Sequence, residues 1–185
     1  MDGEDKSTFY LQGSEKRLRY GALIANFTIP LMIFSAFSIY IILDKTNLAI
    51  LTSIILAIGF SLSPLAHCSF YYVGSLYNTI YKSFKEDKYL DDFKELALSY
   101  RDVQTITWLT SIIISFSGWL LYTILVFSGN SILPWYFGFI NPIFLSILAG
   151  ILPYIPYPGK PLLNGAMFNI ASIIFYTILL IRFII

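Results

Sequence analysis

The chain has one cysteine, one histidine and only 12% charged residues in a length of 185. Each shortage removes a class of function. Cys68 has no second cysteine, so an internal disulfide and a zinc site built from several thiolates are both excluded. His67 is equally alone, which excludes a His-rich haem or di-metal site. The two residues are adjacent, and neighbours on a helix point about 100° apart, so they make a poor Cys-His nucleophile pair. No metal and no cofactor is expected. A water-soluble domain of this length carries about 25% charged residues. The polar surface here is too small to wrap one soluble core. With a net charge of +1 no basic face can form, so nucleic acid is not an expected partner. There is no G-x-S-x-G, no H-E-x-x-H, no Gly-rich phosphate loop and no internal repeat.

What the chain does have is apolar bulk. It is 57% hydrophobic and 18% aromatic, with 14 Tyr, 16 Phe and 3 Trp. The mean hydropathy is +0.71. Such a composition belongs to a protein dissolved in lipid, and the lipid bilayer is its first expected partner.

The charges fall in a few places. Residues 1–19 hold eight of them, Asp44 and Lys45 form a pair, residues 82–102 hold eleven, and Lys160 and Arg182 stand alone. Between them lie uncharged runs at 20–43, 46–81, 103–159 and 161–181. A helix needs about 20 apolar residues to cross the hydrocarbon core. The expected fold is therefore all-α: an integral membrane helical bundle with transmembrane spans at about 20–43, 46–81, 104–127, 134–153 and 163–185. Ser128-Gly129-Asn130-Ser131 breaks the long third run. The second span is long and kinked near Pro64. Six spans, with a turn at Ser61-Leu62-Ser63-Pro64, is the alternative. Charge bias favours five, because Lys and Arg prefer cytoplasmic loops. Five spans place ten Lys and Arg inside and two outside, whereas six divide them seven to five at best. The expected location is the cell membrane, multi-pass, with the N-terminus cytoplasmic and the C-terminus outside. Residues 1–19 form a cytoplasmic N-terminal segment, and 20–185 a single transmembrane bundle domain. Residues 84–102 read as a cytoplasmic amphipathic helix that lies on the membrane or docks a cytoplasmic partner.

The spans carry small and neutral polar residues at helical spacing. Ser63, His67, Tyr71, Gly74, Ser75 and Asn78 recur on one face of the second. Gln104, Trp108, Ser111, Ser115, Gly118 and Tyr122 do so on the third, and Gly165, Asn169, Ser172 and Tyr176 on the fifth. The first adds Asn26 and Pro30, and the fourth adds Asn141, Pro142, Ser146 and Ala149. Lipid-facing positions favour Leu, Ile, Phe and Val, so these stripes are expected to face inward. Two readings stay open. Small residues let helices pack closely, and the same residues could line an apolar cavity edged by hydroxyls. On the second reading, the ligand-binding set is His67, Tyr71, Asn78, Ser111, Ser115, Tyr122, Asn141, Asn169 and Tyr176. No Asp or Glu lies within a span, which argues against ion-coupled transport and paired-carboxylate chemistry.

Residues 134–176 are the most patterned stretch: a Pro-Trp start, an Asn-Pro pair, a proline-rich loop, then Asn-Gly-Ala-x-x-Asn. On Trp135, Asn141-Pro142, Pro158, Gly165 and Asn169, the last third of the chain resembles an uncharacterised family of small multispanning bacterial membrane proteins. The resemblance implies a helical membrane protein and carries no activity with it.

Three functions compete on these residues. The first is a membrane protein that binds, and moves, a small apolar or lipid-like ligand within the bundle. The second is a non-catalytic structural or regulatory subunit that docks a partner through 84–102 or forms a homo-oligomer. The third is an intramembrane lipid-modifying enzyme with His67 as general base, the only candidate catalytic residue, and Tyr71 or Asn169 as the hydrogen-bond donor. The balance leans away from an enzyme.

Overall fold

A computed structural model describes residues 14–82, 90–149 and 167–184. Among them are five α-helices: α1 Glu15–Ile42, α2 Asn47–Lys82, α3 Leu90–Phe127, α4 Pro142–Ala149 and α5 Met167–Ile184. A 3₁₀ turn, Trp135–Gly138, precedes α4. No strand occurs among the described residues. The all-α expectation holds. Three helices are long and apolar enough to cross a membrane: α1, α2 and the part of α3 from Phe93 onward. At 1.5 Å per residue they are about 42, 54 and 57 Å long, from 28, 36 and 38 residues.

Local chemistry sets the helix ends. Ser14 Oγ accepts the Arg17 N–H at the start of α1. After α1 the chain turns through Asp44 and Lys45, both with φ near +55°. Thr46 Oγ1 then accepts the Ala49 N–H and starts α2. The charged pair is thus a tight connection. At the end of α3, Gly129 has φ +76°. The Asn130 N–H reaches Leu125 O at 2.9 Å and the Gly129 N–H reaches Val126 O at 3.2 Å. That double bond pattern satisfies the last carbonyls and needs a residue that enters the left-handed region freely. The expected break at 128–131 is therefore a helix C-terminal motif.

Three expectations are corrected. Residues 84–102 were expected as a separate surface helix. The described part, from Leu90, is instead the first three turns of α3. No Gly or Pro lies between Leu90 and Gly118, so the change from charged to apolar composition does not interrupt the backbone ladder. Second, no single helix starts at 134. The chain makes its 3₁₀ turn and restarts at Pro142, a residue well suited to a first helical position because its missing N–H is not needed there. The rest of that expected span, 150–153, lies outside the described residues, as do 84–89 and the proline-rich loop. Third, not every stripe residue is buried. Trp108 is exposed and so is Asn169. The second helix runs unbroken through 61–64, with Pro64 inside it.

The chain packs as two compact units. One comprises the chain up to Ser35 together with Ala57–Ser115, and the other Ala36–Leu56 together with Phe116 onward. In the first, Gly59 of α2 sits against α3. A Cβ added there would lie 2.9 Å from the Ser115 backbone nitrogen. The Ser111 hydroxyl donates to Gly59 O at 2.8 Å. Asn26 Nδ2 donates to Ala22 O at 2.7 Å and to Cys68 Sγ at 3.3 Å, which joins α1 to α2. In the second unit, Leu56 packs on Gly118, and α4 lies against α5.

Candidate functional site

The second unit holds the densest aromatic packing. Trp119 and Tyr122 stand one turn apart on α3, and Phe175 reaches them from α5. Their rings meet edge to face in all three pairings, with centroids 5.1–5.7 Å apart and interplanar angles of 80–87°. All three residues have no exposed surface. Such contacts contribute about 0.5–1.5 kcal/mol each beyond burial. Trp119 is eight residues, about 12 Å, from the end of α3.

The polar ends of these rings have no partners. Trp119 Nε1 and the Tyr122 hydroxyl are buried and unbonded, as is Ser53 Oγ on α2. Leu56 touches Gly118 across the α2–α3 seam. One turn back from Leu56 is Ser53, and one turn on from Gly118 is Tyr122, so the antiparallel register sets Ser53 across from Tyr122, with Trp119 one turn along α3. A buried donor or acceptor left unsatisfied costs about 1–3 kcal/mol. In hydrocarbon no water comes to its rescue. These unmet atoms offset part of what ring contact and burial contribute to the cluster.

Every other buried polar side chain for which bonds are described is satisfied. Thr52, Ser69, Thr123 and Ser172 donate to carbonyls four residues back on their own helices. Asn141 is a junction. Its Oδ1 accepts the N–H groups of Ile143 at 2.9 Å and Phe144 at 3.2 Å, which caps α4. Its Nδ2 donates to Gly138 O at 2.8 Å and to Thr123 Oγ1 at 3.0 Å, which ties the cap to α3. The Asn-Pro pair that looked like a feature inside a span is the N-cap and first residue of a helix.

The sequence-selected site residues divide between the two units. His67, Tyr71, Asn78, Ser111 and Ser115 belong to the first, and Tyr122, Asn141, Asn169 and Tyr176 to the second. Ser111 and Ser115 are buried at the Gly59 contact. His67, Tyr71 and Asn78 are half-buried, as is Tyr176. The Tyr71 ring lies 5.5 Å from that of Tyr72. Sequence reasoning found Tyr122 but missed Ser53, Trp119 and Phe175. The available signal was a tryptophan deep inside an uncharged run, one turn from a stripe tyrosine. Among the described residues no group of three His, Cys, Asp or Glu could hold a metal ion.

Fold and cluster together define a helical, largely apolar protein with an occluded aromatic core whose hydrogen-bonding ends are unmet. The chain belongs to DUF6796, a family of unknown function whose model matches residues 3–184. The match covers nearly the whole chain, where the resemblance visible in the sequence rested on the last third. No curated protein and no solved structure matches the chain.

Proposed function

We propose that the protein is an integral membrane protein with five crossings that holds a small apolar or lipid-like ligand among its helices. Inverted polarity carries this reading. Phe27 and Phe34 are each 77% exposed, and Leu31 and Ile173 also face outward. Thr52, Gln104, Ser111, Ser115, Thr123 and Asn141 are buried. In water that distribution is unfavourable, whereas in hydrocarbon an outward Phe costs nothing and an inward polar group finds a partner.

The crossing number and orientation draw on two observations. The Ile132 N–H and the Ser131 hydroxyl both donate to Ile42 O, at 3.0 and 3.1 Å. Those bonds hold the loops after α1 and α3 together, which supports one crossing, not two, for α2. The ten-to-two bias in Lys and Arg assigns these loops to the outside. With α5 about 27 Å long, from 18 residues, its length suits a core of about 30 Å.

Cysteine labelling checks this topology. In a Cys68→Ala background, Asn47→Cys and Asn130→Cys are expected to react with an impermeant maleimide from the outside. Ser99→Cys is expected to react only once the cytoplasmic face is opened. Labelling of positions 47 and 130 from different sides would rule out five crossings.

The unmet buried atoms in the second unit support ligand holding. A native mass spectrum of protein released from mild detergent is expected to show adducts of lipid or small-molecule mass. A bare spectrum in several mild detergents counts against a ligand and favours the non-catalytic subunit.

A further inference from the structure

We infer that Trp119, Tyr122 and Ser53 form the closed state of a binding site for a neutral, apolar molecule that carries a carbonyl oxygen. The inference rests on the ligand-holding reading above and deepens it. Three observations point to this chemistry. Trp119 Nε1 can only donate a hydrogen bond, whereas the Tyr122 and Ser53 hydroxyls can donate or accept. The one partner that suits all three at once is therefore an acceptor. No Asp, Glu, Lys or Arg occurs in 46–81 or 103–159, so the stretches of helix that supply these atoms carry no charge to match an ionic ligand. The neighbours of the donors that the contacts show are apolar: the Phe175 ring lies against Trp119 and Tyr122, and buried Leu56 lies at Gly118, next to Trp119 in the chain.

The three polar atoms are fully covered, so the site is shut in this structure. Entry requires the edge contacts among Trp119, Tyr122 and Phe175 to part. Part of the loss of those contacts is recovered when the carbonyl takes up the unmet donors, and the apolar body of the guest replaces the ring contacts. An unliganded protein with this core stays closed, and a carbonyl-bearing guest opens it. An acyl ester and a quinone share this chemistry, and the test separates them.

The test uses conservative substitutions that remove one polar atom and keep the ring: Trp119→Phe, Tyr122→Phe, and Ser53→Ala. Full-length protein is washed in detergent until mass spectrometry shows no adduct. It is then exposed to a diazirine-bearing diacylglycerol or to an azido-quinone, with an alkyl diazirine that lacks carbonyls as reference. Tyr122→Phe is expected to melt at a higher temperature than wild type when ligand-free, because an unbonded hydroxyl is gone. Carbonyl-probe labelling is expected to fall about fivefold to tenfold in each variant, which corresponds to the loss of one hydrogen bond, while the alkyl probe changes less than twofold. The probe that is lost names the source, ester or quinone. A lower melting temperature for Tyr122→Phe would show that its hydroxyl has a partner and would overturn the inference. Unchanged carbonyl labelling in all three variants, with wild type labelled, would also overturn it and leave ligand holding intact. Absence of labelling by every probe in wild type would remove the ligand-holding reading and this inference with it. Should Trp119→Phe fail to fold, Tyr122→Phe and Ser53→Ala suffice for each outcome.

Discussion

Gly59→Val is expected to leave little folded protein, and Gly59→Ala to lose about 1–3 kcal/mol against unfolding by sodium dodecyl sulfate titration. The reason is which atoms the new side chain meets. An added Cβ would collide with the Ser115 Oγ and would also approach the Ser115 nitrogen to 2.9 Å and its Cα to 3.1 Å, so turning the serine side chain aside is not enough and α3 itself has to move. That shift also stretches the Ser111 hydroxyl bond to Gly59 O. Alanine recovers up to about 1 kcal/mol in helix propensity, so its net cost is the smaller of the two. Gly118 offers the contrast. A Cβ there meets Leu56 Cγ and Cδ2, at 2.7 and 2.8 Å, which belong to a side chain. Gly118→Ala is therefore expected to be relieved by a simultaneous Leu56→Ala, whereas Gly59→Ala is relieved only in part by Ser115→Gly, which removes the Oγ contact and leaves the backbone ones. A double-mutant cycle measures both couplings. Full rescue of Gly59→Ala by Ser115→Gly would mean that the backbone contacts contribute nothing to the clash.

Asn141→Ala is expected to cost about 2–4 kcal/mol, the sum of a lost helix cap and a stranded buried carbonyl. One amide satisfies the first N–H groups of α4, Gly138 O and the Thr123 hydroxyl. Substitutions separate these roles. Asn141→Ser keeps an acceptor for the cap and loses the link to Thr123 and Gly138, so it falls between wild type and alanine. Asn141→Asp keeps the acceptor but cannot donate to Gly138 O. It also buries a carboxylate, so it is expected to be no better than alanine. Thermal unfolding in detergent ranks the four proteins. An aspartate as stable as asparagine would show that the two donated bonds contribute nothing.

Much of the architecture was readable because its causes are local or compositional. The uncharged runs mark α1, α2 and most of α3, since a charge within hydrocarbon is costly wherever the chain later packs. The end of α3 was readable at Ser128-Gly129-Asn130, where only glycine enters the left-handed region without strain. The start of α4 was misread although its signal was local. Asn-Pro looks like an interruption inside a span until the Asn141 side chain is seen to bond forward to Ile143 and Phe144. The join between residues 90–102 and the rest of α3 was misread for the opposite reason: composition changed where backbone bonding did not.

The site was less readable. Polar stripes at helical spacing identified which faces turn inward, and Ser111, Ser115, Tyr122 and Ser172 are indeed buried. Spacing alone does not say which buried hydroxyl finds a carbonyl. Ser172 bonds within its own helix, Thr123 bonds within its helix and also accepts from Asn141, Ser111 bonds across to Gly59, and Tyr122 bonds to nothing. Those outcomes depend on what the partner helix presents at the same level.

The sequence by itself determined that the chain is helical, that it suits lipid, and where most long helices begin and end. These follow from hydropathy, charge placement and the conformational limits of glycine and proline, which act within a turn or two. Tertiary structure alone decided that Gly59 meets the Ser115 backbone, that Phe175 closes on Trp119 and Tyr122, and that three polar atoms in the core have no partner. Those are facts about residues many positions apart, and hydrogen bonds and ring contacts form or fail over distances of a few ångströms that no spacing rule encodes.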